Sequence, residues 1–149
     1  NKNIHILNTL GLCFLKLKKY DEASKTLSKA ISLDNQNIVI LNSLGRLNHE
    51  LRKSKEAGSF FDKAFSLNPN SFETLNNMAG FYLEEEKYQQ AIQIYKKADK
   101  LKPDNSILIN NVAKAFMCLN DMGGAEKYCR RAISIDQKND EFKKILALS

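Results

Sequence analysis

Two histidines, three cysteines and one acidic run are the side chains from which catalysis or metal binding would have to be built. They are His5, His49, Cys13, Cys118, Cys129 and Glu84-Glu85-Glu86. Neither histidine has a cysteine, serine or carboxylate at a spacing that matches a nucleophile–base pair or a metal site. His49 beside Glu50 reads as a solvated polar residue, and the acidic run reads as a solvated face at a helix end. Gly123-Gly124 would suit a phosphate only if a strand led into it, and no strand pattern precedes it. The expectation is a non-catalytic chain with no metal and no cofactor.

Amide chemistry, by contrast, is written at a fixed interval. Asparagine recurs at Asn8, Asn42, Asn76 and Asn110, each 34 residues after the last. The residues that follow are Thr9, Ser43, Asn77 and Asn111. Asparagine is a poor helix former, so four at one slot need a reason. Two are open. Each amide bonds to a neighbouring helix and holds the architecture, or the four form a ladder that offers donors and acceptors to a peptide backbone.

The elements that must carry these amides share the same period. Around Asn76 stand Leu75, Met78, Ala79, Tyr82, Tyr88, Ala91, Tyr95, Ala98 and Pro103. The pattern returns upstream as Leu41, Leu44, Gly45, Ala57, Phe61, Ala64 and Pro69, and again as Leu7, Leu10, Gly11, Phe14, Tyr20, Ala23, Leu27 and Ala30. Downstream it reads Ile109, Val112, Ala113, Phe116, Ala125, Cys129 and Ala132. Self-similarity at this period signals a repeat architecture. Slots are counted below from Ile4, Ile38, Phe72 and Ser106. Helical spacing predicts helices over 4–17, 20–33, 38–51, 55–67, 72–86, 88–101, 106–119 and 122–135. Small residues at slots 8, 20 and 27 let helices approach closely, and the bulky slot 24 fills the space between them.

This period and spacing resemble the tetratricopeptide repeat over residues 4–139. The family pattern opens with Trp, Leu, Gly and Tyr, and Leu7, Leu41, Leu75 and Ile109 hold its Trp slot. The resemblance implies an all-α, right-handed solenoid of antiparallel helix hairpins, with repeats at 4–37, 38–71, 72–105 and 106–139. Residues 140–149 would form a capping helix or half of a further repeat. Each hairpin cannot bury its apolar face alone, so neighbours stack.

In the family, one face of each first helix lines a concave groove where extended peptides bind. Helical-wheel arithmetic places slots 2, 5, 6, 9, 12 and 13 on that face. The candidate groove residues are Asn8, Asn42, Arg46, Asn76, Asn77, Asn110, Asn111 and Lys114. The second amide slot resembles the asparagine ladder of repeats fused to O-linked N-acetylglucosamine transferases, from which Thr9 and Ser43 depart. A clamp for chaperone C-terminal carboxylates fails here. The corresponding positions, Asn8, Leu12, Ser43, Glu73 and Asn77, lack its lysines, and Glu73 repels an anion. The function implied is a protein-interaction scaffold that holds an extended peptide. The alternative is a substrate-recruiting arm of a larger enzyme such as a glycosyltransferase.

Composition narrows the partners. The net charge of +6 is spread along the chain, with +2 in segments 4–37, 38–71 and 106–139 and −1 in 72–105. No concentrated basic block points to nucleic acid. No apolar run approaches the roughly 18 residues of a membrane span. An odd, unpatterned cysteine set fits a reducing compartment, so the expected location is cytoplasmic. Asn1-Lys2-Asn3 aligns with the repeat tail Asn35-Gln36-Asn37, so the chain reads as cut from a longer array. Phe142, Ile145, Leu146 and Leu148 form an apolar face that implies self-association through the terminal helix.

Overall fold

A computed structural model describes residues 2–135. Among them are eight α-helices and no strand: α1 Lys2–Lys16, α2 Tyr20–Leu33, α3 Ile38–Glu50, α4 Ser54–Leu67, α5 Phe72–Glu84, α6 Tyr88–Leu101, α7 Ser106–Cys118 and α8 Met122–Ile135. The terminal segment 140–149, expected to cap or continue the array, lies outside the described residues. The helices gather into two compact units, Asn1–Asn77 and Met78–Ser149, with the boundary inside α5.

The polar end of each 34-residue segment begins the next helix. Asn37 Oδ1 accepts from the Ile40 N–H at 3.3 Å, and Asn105 Oδ1 accepts from the Leu108 N–H at 2.9 Å. Ser71 does the same for Thr74. These side chains satisfy amide groups that a helix N-terminus leaves without partners. Helices α2, α4 and α6 follow Lys19, Lys53 and Lys87, which make no side-chain cap. Their starts are set instead by the turn before them.

That turn is the same four times. Lys18, Arg52, Glu86 and Asn120, all at slot 15, have φ between 56° and 62°. The left-handed residue lets two backbone N–H groups fold back on the helix just ended. Glu86 N–H meets Leu83 O at 3.1 Å, and Lys87 N–H meets Tyr82 O at 2.9 Å. The predicted helix over 72–86 therefore stops at Glu84, because the left-handed backbone at Glu86 cannot continue it. The same turn ends α1, α3 and α7 one residue before the predicted positions.

In the first unit, Leu15, Ala23, Leu27, Ala30, Ile40, Leu44 and Leu47 form a buried cluster between α1, α2 and α3. Slot 24 is fully enclosed in every segment, as Leu27, Phe61, Tyr95 and Cys129. A Cβ on Gly11 would lie 2.6 Å from Leu27 Cδ2, and one on Gly45 would lie 2.6 Å from Phe61 Cε1. The close approach of the paired helices depends on these two glycines. In the second unit Phe116 stacks on Tyr128 with centroids 5.6 Å apart. Gly124 lies beneath that ring, since a Cβ there would stand 2.3 Å from Phe116 Cδ1. Asp121 Oδ1 accepts from the Gly124 N–H at 2.8 Å and caps the α8 start. The helix cost of glycine at this point is thus matched by room for an aromatic ring.

Arg131 on α8 reaches back to α6 and the loop after it. Its Nη1 donates to Asp99 Oδ2 at 2.6 Å, and its Nη2 donates to the Pro103 carbonyl. The bond to Asp99 raises the guanidinium pKa further above its ordinary value.

Two glycines with opposite surroundings give a test of this packing. Gly45→Ala overpacks against Phe61 and should cost about 1–3 kcal/mol. Gly80→Ala meets Tyr95 Oη at an ordinary 3.6 Å and should gain up to about 1 kcal/mol from helix propensity. Chemical denaturation of the two variants reads both signs, and equal effects would reject the close-approach assignment. The turn gives a second test. Left-handed backbone costs a non-glycine residue about 1–2 kcal/mol, with asparagine the better tolerated. Arg52→Gly should therefore raise the melting temperature, while Asn120→Gly should leave it nearly unchanged.

Candidate functional site

The first-helix face separates into slots with different fates. Slot 2 is exposed in every segment, as His5, Val39, Glu73 and Ile107. Two of these are aliphatic, with Val39 48% and Ile107 68% exposed. At slot 9, Arg46 and Lys114 are exposed, while Leu12 and Gly80 are half-buried. At slot 6, Thr9 is exposed and donates to its own helix at His5 O, 3.0 Å away. Asn77 and Asn111 are half-buried.

Slot 5 holds the recurring asparagines, and their surroundings divide them. Asn8 is buried, and its Oδ1 accepts from Ser43 Oγ at 2.7 Å, across from α1 to α3. Asn42 is buried, and its Nδ2 donates to Thr74 Oγ1 at 2.9 Å, across from α3 to α5. Thr74 in turn donates to Ser71 Oγ at 3.0 Å. Asn76 and Asn110 make no such bond. Each is half-buried with its Oδ1 enclosed and unpartnered, as is the Oδ1 of Asn42. For Asn76 and Asn110 the oxygen is the enclosed atom that has no partner.

Thr74 and Ser71 were not among the residues expected to matter. The signal was present: slot 3 reads Ile6, Ile40, Thr74 and Leu108, a lone hydroxyl among aliphatics. Thr74 is fully enclosed, and a buried hydroxyl needs a partner.

Within the first unit, α1 and the start of α3 enclose a half-open cleft of about 250 Å³. His5, Asn8, Asp34 and Asn37 give it a polar side, and Val39 and Ile40 an apolar one. Asp34 is held in place by Asn37 Nδ2 at 3.1 Å and the Gln36 N–H at 3.1 Å. This space is below the roughly 300–1,000 Å³ of a small-molecule site. It suits one amino-acid side chain.

The groups with catalytic potential do not converge. Cys13 and Cys118 are exposed and Cys129 is buried, and burial raises the Cys129 thiol pKa. Tyr95 is enclosed, so burial first and Glu84 second push its phenol well above the ordinary range. Glu86 sits in the left-handed turn, which carries it out of the helix that bears Glu84. Among the described residues no three His, Cys, Asp or Glu side chains gather to hold a metal ion. No described helix is long and apolar enough to cross a membrane.

No curated protein sequence shows a significant match to the chain. Family models for the tetratricopeptide repeat match residues 4–37 and 38–71, 60–93, and 82–148. Solved structures share the fold. PilF of Pseudomonas aeruginosa superposes with a TM-score of 0.87 at 21% identity over 95% of this chain. The chain spans 64% of that protein's length. A thermophilic tetratricopeptide protein of Thermus thermophilus gives 0.80 at 18% identity, over 97% of this chain and 79% of that one. MamA of Desulfovibrio magneticus RS-1 gives 0.80 at 15% identity, over 95% and 80%. Paired helices with a common left-handed turn, enclosed small-residue slots and matches along nearly the whole sequence lead to one conclusion: the chain is an all-α helical-hairpin solenoid that belongs to the tetratricopeptide repeat family.

Proposed function

We propose that the first-helix faces hold an extended polypeptide segment, through outward amide N–H groups and exposed side chains beside them. The tetratricopeptide fold serves in general as a protein-interaction scaffold without catalytic machinery. The finer reading rests on one observation: Asn76 Oδ1 and Asn110 Oδ1 are enclosed without a partner. A buried acceptor left unpaired costs about 1–3 kcal/mol, and asparagine is a poor helix former besides. Neither residue therefore stabilises its helix, whereas Asn8 and Asn42 are bonded to the next repeat. The amides at Asn76 and Asn110 find their use outside the fold, as donors to the carbonyls of a bound chain.

Side-chain selectivity follows from the neighbours. Val39 and Ile107 offer apolar contacts on the same helix faces as Arg46 and Lys114. The cleft beside Asn8 takes one side chain of the ligand. Arg46 and Lys114 favour a segment of mildly acidic character, and Asn77 and Asn111 add further amide contacts. A substrate-recruiting arm of a larger enzyme would use the same face in the same way.

Stability and binding should therefore separate by residue. Asn76→Ala and Asn110→Ala should leave the melting temperature unchanged or higher, and each should weaken binding of an extended acidic peptide by about fivefold or more, equivalent to about 1 kcal/mol per bond. Asn8→Ala should instead lower stability, because the bond from Ser43 across to α1 is lost and Ser43 keeps only the Val39 carbonyl of its own helix. Thermal melts with fluorescence anisotropy on a peptide panel measure both quantities. A lower melting temperature for Asn76→Ala and Asn110→Ala, with peptide affinity unchanged, would assign them to the fold and remove the basis for this reading.

A further inference from the structure

Two charged groups of the first unit meet the first-helix face without an opposite charge beside them. Asp34 is half-buried in the cleft between α1 and the start of α3, where Ile4, Val39 and Ile40 form an apolar wall. His5 and Val39, the exposed slot-2 residues of α1 and α3, also line this cleft, so it opens on the face that carries the asparagines. A carboxylate offers about four acceptor positions. The turn after α2 uses two of them, through the Gln36 N–H and Asn37 Nδ2, and both donors are neutral. The second group is Arg46, exposed on α3. Glu50 stands four residues on, but arginine before glutamate is the weaker order along a helix, and the two do not pair. Among the described residues neither Asp34 nor Arg46 makes an ion pair.

We propose that the bound segment carries a basic and an acidic residue about three positions apart, the first seated in the Asp34 cleft and the second on Arg46. This rests on the reading of the first-helix faces as a peptide site and names the charges its ligand bears. A lysine or arginine suits both parts of the cleft. Its aliphatic stem lies along Ile4, Val39 and Ile40, and its charged end donates to the acceptor positions of Asp34 that the turn leaves open. A carboxylate would be repelled there. An apolar side chain would strip water from Asp34 and return no hydrogen bond. Arg46, in turn, offers its planar fork to a carboxylate through two parallel bonds. The spacing follows from α3. Val39 at the cleft and Arg46 are seven residues apart, about 10 Å along one face of the helix. A polyproline-II segment rises about 3.1 Å per residue and returns to the same side every third residue. Side chains three positions apart therefore leave one side of the ligand about 9 Å apart, close enough to meet both groups.

Fluorescence anisotropy on the full chain tests this with short synthetic peptides, capped at both ends and otherwise uncharged. Two carry lysine and glutamate three positions apart, one in each order. In the tighter-binding order, further peptides replace lysine by methionine or glutamate by glutamine. Each replacement should weaken binding about two- to fivefold, the range of an exposed ion pair. Asp34→Asn should erase the difference between the lysine and methionine peptides and keep that between glutamate and glutamine. Arg46→Gln should do the reverse. Arg46→Glu should prefer a peptide with lysine in place of its glutamate, a reversal that lost stability cannot produce. Melting curves establish that each variant folds, and Arg46 is exposed with no described ion pair to lose. Equal affinity of the unaltered chain for the lysine and methionine peptides, or for the glutamate and glutamine peptides, would overturn the proposal. So would variants that lower every affinity alike. If all the peptides bind equally and Asn76→Ala weakens them, the charge pairing falls and the amide reading stands. If none binds, both fall.

Discussion

The distance of closest approach between paired helices governs the rest of this structure. At slots 20 and 27 every segment carries alanine, and all eight are enclosed. Between them slot 24 inserts Leu27, Phe61, Tyr95 or Cys129 into the partner helix. Where the inserted group is Leu27 or Phe61, the facing residue has no Cβ at all. In the segments with Tyr95 and Cys129 the same slot carries alanine, as Ala79 and Ala113. Packing at close to crystalline density leaves little room for error at such a point. The fourth hairpin meets the same constraint again, with Gly124 yielding space to the Phe116 ring.

Fixing that approach fixes the rotation of each first helix, and so decides which slots are enclosed and which meet solvent. Slots 3, 7 and 10 of the later segments are turned inward, and slot 2 is turned away from them. Slot 5 falls on the border. An amide there can serve either side, and the outcome turns on a single partner. Ser43 supplies one for Asn8 and Thr74 one for Asn42, whereas Asn76 and Asn110 have none. Four identical residues at one slot thus have two different surroundings.

The period, the helix pairs, the enclosed small slots and the family were all legible in the sequence, because each is a local pattern repeated four times. The left-handed turn was not. Its usual signal is glycine, and slot 15 holds Lys18, Arg52, Glu86 and Asn120. Three long charged side chains accept a strained backbone because the hairpin they close demands it, and their charged ends reach water from an exposed turn. The division among the asparagines was equally out of reach, since their partners lie 32 and 35 residues away. So was the Arg131 contact to Asp99 and Pro103, which joins α8 to α6 through one side chain with two acceptors.

Satisfied and unsatisfied amides also bear on how stability is distributed. In a repeat array, stability is carried by nearest-neighbour interfaces. Asn8–Ser43 and Asn42–Thr74 each cross such an interface, so those bonds add to the coupling between adjacent segments. Between the third and fourth segments Asn76 supplies no such bond, and other contacts serve there. These are the enclosed Leu108, Ile109 and Val112, the Lys96 ammonium 5.3 Å over the Phe116 ring, and the Arg131 clasp. Apolar burial is non-directional and tolerates an amide that points elsewhere. That tolerance lets one slot hold the same residue with a cross-helix bond at Asn8 and Asn42 and none at Asn76 and Asn110.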